Sequence, residues 1–167
     1  MKQLFFISVT LFCLQFTVTA QDYDNAVEYL NAISRQRENI SKKFMAYVSA
    51  SAHGKREKKV EALRAKLLDE VQEAKMNIGG LPSFKGDKGY RDSTVVFLKL
   101  YYNVLNEDYG KIVNMEEIAE QSYDAMEAYM MAQELVNKKL DEGNEKMRLA
   151  TEVFAAKNNI TLTKSST

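Results

Sequence analysis

The chain has one histidine, His53, and one cysteine, Cys13. Nucleophilic catalysis needs a nucleophile, a base and a group that orients the base. His53 stands beside Gly54 where a helical pattern stops, so the only imidazole falls in a loop and no such trio can be assembled. Carboxylate-bridged di-iron bundles require Glu-x-x-His pairs, and none occurs. Zinc-hydrolase and c-type haem motifs fail for the same want of His and Cys. No catalytic residue, metal centre or cofactor is expected, and the protein reads as non-enzymatic.

Softer chemistry remains. Seven methionines follow Met1: Met45, Met76, Met115, Met126, Met130, Met131 and Met147. Thioethers can hold Cu(I), but Met115, Met126 and Met147 fall on an apolar seam, where methionine fills gaps. Tyr101, Tyr109 and Tyr129 occupy core positions, and buried phenols need partners. Tyr129 lies one helical turn before Gln133, within reach of a shared hydrogen bond. Ser122 and Gln133 are polar on the same seam as Met126 and Tyr129. These four residues form the candidate ligand or partner region, together with Phe84 and Asp87 of a glycine-rich connector.

The seam itself runs from Met115 to Phe154, with steps of three and four through Ala119, Ser122, Met126, Tyr129, Gln133, Val136, Leu140, Gly143, Met147 and Ala150. This spacing predicts one long amphipathic helix, about 60 Å at 1.5 Å per residue. Asn114, with Glu117 three residues on, is its expected cap. Gly143 is a candidate bend. Such a helix cannot stand alone in water and needs partners.

Three further helices supply them. The first runs from caps at Asp22 or Asp24 to Ala52, with Ala26, Leu30, Ile33, Ile40, Phe44 and Tyr47 inward and Arg37 snorkelling outward. The second runs from Lys55 to Ile78 on Val60, Leu63, Leu67, Val71 and Ala74. Gly79–Gly89 holds four of the seven glycines and the only proline, so it is a connector, with Leu81 and Phe84 plugging the bundle end. The third runs from Tyr90 to Val113 on Thr94, Leu98, Tyr101, Leu105, Tyr109 and Ile112, loosened by Gly110. Short links between helices one and two and between three and four predict an all-α, up-down-up-down four-helix bundle with a long C-terminal helix. Lys42, Lys43, Lys55, Arg56, Lys58 and Lys59 then share a pole with Glu107, Asp108, Glu116, Glu117 and Glu120, and the two clusters are expected to neutralise each other in part.

Met1–Ala20 has a basic start, an apolar run and small residues at Val18 and Ala20, the pattern of a cleavable signal peptide. The run is short for a membrane span of about 20 residues. Cleavage would leave residues 21–158 as the bundle domain and 159–167 as a flexible tail, with no membrane span. It would also remove Cys13, so no disulfide is available and stability must come from packing. The whole chain has 23 basic and 23 acidic residues. It therefore has no global attraction to nucleic acid, and the basic run Lys55–Lys59, with an acid and no aromatics within it, reads as a solvated helix start.

Four strings resemble an uncharacterised family of small exported bacterial surface proteins: Phe84-Lys85-Gly86-Asp87, Asn106-Glu107-Asp108-Tyr109, Ser122 to Tyr129, and Phe154 to Ile160. The resemblance covers the second half of the chain. It implies export and a helical fold but carries no activity, so no catalytic role transfers. The expectation is an exported helical bundle of the periplasm or cell surface that binds an unknown protein or small ligand, or serves a structural role. The alternative is a periplasmic small-ligand or metal carrier using the bundle interior.

Overall fold

Asn25, beyond both expected caps, starts the first helix: its side-chain oxygen accepts the Val27 N–H at 2.8 Å. Asp24 makes no such bond, and Asp22 lies outside the residues described. The structure is a computed structural model, and residues 23–53 and 56–162 are described here. Five α-helices follow: α1 (Ala26–Ala52), α2 (Glu57–Gly79), α3 (Gly89–Asn103), α4 (Tyr109–Ala119) and α5 (Tyr123–Lys157). A π-helical turn, Val104–Asp108, joins α3 to α4 without a break, so the two make one rod. No strand occurs among the described residues. No described helix is long and apolar enough to cross a membrane. The expected signal peptide lies outside these residues.

The four rods run up, down, up and down as an all-α bundle. The α2 backbone lies beside both α1 and α3, and α5 lies beside α3 and α4. The inward stripes are those the periodicity marks. Ile33, Ile40 and Tyr47 of α1, Leu67, Val71, Ala74 and Ile78 of α2, and Leu98 and Leu105 of the third rod are all buried. Tyr29, Tyr90 and Val104 are also buried and were not on the expected stripes. Among the described residues Thr94 is the one buried polar residue apart from the tyrosines, and its hydroxyl donates to the Tyr90 carbonyl at 2.9 Å.

Several expectations are corrected. The seam from Met115 to Phe154 is not one helix. The chain turns at Glu120–Gln121, and Ser122, in an extended conformation, caps α5 by accepting the Ala125 N–H at 3.1 Å. Asn114 caps nothing, because α4 runs through it to Ala119. Helical spacing survives the turn by coincidence, and a serine able to satisfy a free N–H decides the break. Even so, α5 is the longest helix, with 35 residues.

Gly110 lies in the first turn of α4 rather than in a last turn, since the third rod runs past the expected end at Val113 to Ala119. Gly143 lies within α5, which continues past it to Lys157. It is buried where α5 meets α3, and a Cβ there would stand 2.6 Å from Leu100 Cδ2, so glycine permits the close approach. Arg37 does not snorkel away: its guanidinium lies over the Phe97 ring, 5.6 Å from the centroid.

The end of α5 carries a cap at Asn158–Ile160, and residues 163–167 of the expected tail lie outside those described. Asn159 takes the left-handed conformation at φ 54°, and the Ile160 N–H returns to the Ala155 carbonyl at 2.9 Å. These are the marks of a Schellman cap, with Ile160 packed on the core. The expected neutralisation between the two charged clusters is not made by direct pairs among the described residues. Lys43 pairs with Glu70 of α2, and Asp108 accepts from Lys139 of α5 at 2.8 Å.

Candidate functional site

Phe84 and Asp87 sit at one pole in a two-residue turn. Lys85 and Gly86 have φ of 49° and 83°, as a type I′ turn requires. Phe84 and Asp87 exchange both backbone hydrogen bonds, at 3.0 and 2.9 Å. The turn drives the Phe84 ring among Tyr29 and Phe154, with Tyr90 stacked on Phe154 at 5.0 Å. Tyr29 donates its hydroxyl to the Pro82 carbonyl at 2.9 Å. Asp87 accepts from Lys157 Nζ at 2.8 Å and from the Gly89 N–H at 2.7 Å, and those two bonds hold its carboxyl below the usual range. Both residues thus help close the bundle end, and a surface hollow of about 320 Å³ lies beside Asp87, Tyr90 and Phe154.

The opposite pole is open. At the π-helical turn, the Tyr109 N–H reaches back five residues to the Val104 carbonyl, and the inserted residue lets both Val104 and Leu105 be buried. Arg64 of α2 supports the turn from outside. Its Nη1 donates to the carbonyls of Leu105 (3.1 Å) and Asn106 (3.4 Å), while Nε and Nη2 grip Glu61. That grip lowers the Glu61 carboxyl pKa. Beside this clamp a cavity of about 560 Å³ separates Tyr47 and Glu61 from Gly110, Lys111 and Glu116 of α4. Sequence reasoning missed it. Its one trace is the step of four taken twice in a row, Tyr101 to Leu105 to Tyr109, where three and four would otherwise alternate.

Past the π-helical turn, Tyr109 still meets Tyr47 of α1 edge-on at 6.2 Å, and the backbone of α4 then runs beside α5. The hairpin of α4 and the first half of α5 therefore forms an arm two helices thick, with a small core of Val104, Ile112 and Val136. Two helices cannot bury all their apolar residues. Tyr123, Met126, Met130, Met131 and Leu135 are exposed, Tyr123 at 81% and Met130 and Met131 above 60%. The tyrosine and the three methionines border a surface hollow of about 540 Å³ with Glu127 and Glu134. From Ile112 to Asn137 the sequence has six carboxylates and no Lys, Arg or His. This arm is strongly acidic in a chain that is neutral overall.

The other four expected site residues all lie on the arm, but not around an interior space. Ser122 is an exposed cap, and Met126 is 37% exposed. Tyr129 and Gln133 are half-buried at the edge of the small core. Their expected hydrogen bond exists, with Gln133 Nε2 donating to the Tyr129 hydroxyl at 2.7 Å. Burial, then the charge of Glu116, pushes the Tyr129 phenol up. Ser122 and Met126 reach solvent because no third rod covers this part of α5.

Among the described residues the one imidazole, His53, follows the last turn of α1 at the open pole but does not line the cavity there. His53 is exposed, with Nδ1 2.7 Å from the Ser49 carbonyl. No group of three or more His, Cys, Asp or Glu side chains there could hold a metal ion. No protein-family model, no curated protein and no solved structure matches this chain.

Proposed function

We propose that the protein is an exported, non-enzymatic binding component of the periplasm or cell surface, and that it takes a basic amphipathic helix of a partner protein on the α4–α5 arm. The observation that carries this reading is the exposed row Met126, Met130, Met131 and Leu135, set among carboxylates with no cation between Ile112 and Asn137. Unbranched thioether side chains repack around varied apolar surfaces and suit helix-in-groove recognition. The acidic rim attracts basic partners and repels acidic ones. Export is supported by the pattern of Met1–Ala20. A carrier function in the bundle interior has less support, because Ser122 and Met126 face solvent while Val136 and Met147 fill the core.

The test is calorimetric titration with a synthetic helix of leucine and lysine at amphipathic spacing. Micromolar one-to-one binding is expected, weakened by salt and lost in the double variant Met130→Gln, Met131→Gln. Absence of binding, or binding indifferent to the double variant, overturns the proposal. N-terminal sequencing of the protein recovered from cell fractions tests export separately, with Gln21 as the expected first residue.

A further inference from the structure

Away from the arm, α5 runs beside α3, α1 reaches α3 through the side chains of Arg37 and Phe44, and the α1 and α5 backbones do not run side by side. They meet at the ring cluster, where the Tyr29 and Phe154 centroids are 5.7 Å apart. Between them lies a groove of about 330 Å³ floored by α3. That volume is at the small end of the range for ligand sites, about 300–1,000 Å³, and gaps between bundle helices are a common place for them.

The lining divides into an apolar bed and one charge. Phe97 and Tyr101 stack nearly parallel, with centroids 6.0 Å apart and planes 16° from each other. Phe44 meets Tyr101 edge-on at 6.0 Å. Arg37 is the only charged residue lining the groove. It is half-buried, and among the described residues no carboxylate pairs with it. The cavity beside Arg64, by contrast, mixes acids with cations. A partly buried guanidinium without an acid keeps its capacity to bind an anion, and the Phe97 face takes up only part of it.

We infer that the groove between α1 and α5 binds a small organic anion with an apolar body, its carboxylate on Arg37 and its body on the Phe97–Tyr101 pair. The Phe97 ring holds the guanidinium at the groove, and a planar guanidinium suits two-point contact with a carboxylate. Burial keeps the Tyr101 phenol protonated, so no phenolate charge opposes an anion.

Titrating the purified protein with 4-phenylbutanoate, followed by amide chemical shifts, tests the assignment. Saturable shifts confined to residues bordering the groove are expected, with the neutral 4-phenylbutan-1-ol binding about tenfold more weakly. Arg37→Gln lowers affinity for the acid about tenfold and leaves that for the alcohol unchanged. Ser41→Trp, which fills the groove at its lip, abolishes binding of both. Equal affinity for acid and alcohol, full affinity in Arg37→Gln, shifts elsewhere, or no saturable binding each overturns it.

Discussion

The two halves of α5 carry the same kind of stripe and meet different fates. Toward the C-terminus, Gly143, Met147 and Phe154 are buried against α3, the connector and the start of α1. Toward the N-terminus, Met126 and its neighbours Met130 and Met131 stand in solvent, covered only from the α4 side. The difference is in the number of rods around the helix, not in its own periodicity. Where several elements crowd it, aromatic rings interlock. Where only α4 accompanies it, thioethers are left exposed and the surface is acidic.

The largest contrast between the halves should come from truncating a ring. Phe154→Ala removes a side chain touching Tyr29, Phe84 and Tyr90 and should cost about 3–5 kcal/mol in denaturant unfolding. Met130→Ala, in the exposed half, should stay within about 0.5 kcal/mol. A similar cost for both would erase the distinction. Gly143→Val should cost about 2 kcal/mol, because the new methyl groups collide with Leu100 and Phe97 and force α5 away from α3.

The arm is tied to the body through the π-helical turn, so Arg64→Met should cost about 1–2 kcal/mol. Faster amide exchange should then appear at Val104–Asp108 first. The smallest effect is expected at the closed pole's rim. Asp87→Asn keeps a carbonyl for the Gly89 N–H but loses the charged bond to Lys157, worth under about 1 kcal/mol for a surface pair. The folded-state pKa of Asp87 is lowered. Its contribution is therefore complete above the unfolded-state value of about 3.9 and fades as pH falls through the folded value. Thermal melts of wild type and variant should differ at neutral pH and converge in acid.

The number of rods, their topology and most of the core were legible because Leu67, Val71, Ala74 and Ile78, or Ile33 and Ile40, repeat at a period only a helix fits. The break at Ser122 was hidden by a stripe that keeps step across a turn, so local capping chemistry outweighed periodicity. The expected Tyr129–Gln133 bond was readable from spacing within one turn. The exposure of Met126 was not, since it depends on how far the other rods extend. The pairing of Phe84 with Phe154 joins residues 70 apart, and no local pattern reports it. Arg37 was readable as an interruption of a stripe, but its seat on Phe97 required α3 to be placed beside it.

Native-state hydrogen exchange along α5 tests the division most directly. Amides of residues 144–157 should open only with global unfolding, while those of 126–137 should exchange through a local opening of lower free energy. Uniform protection along the whole helix would contradict the account, because it would mean that the methionine-bearing half is as firmly held as the half locked among aromatic rings.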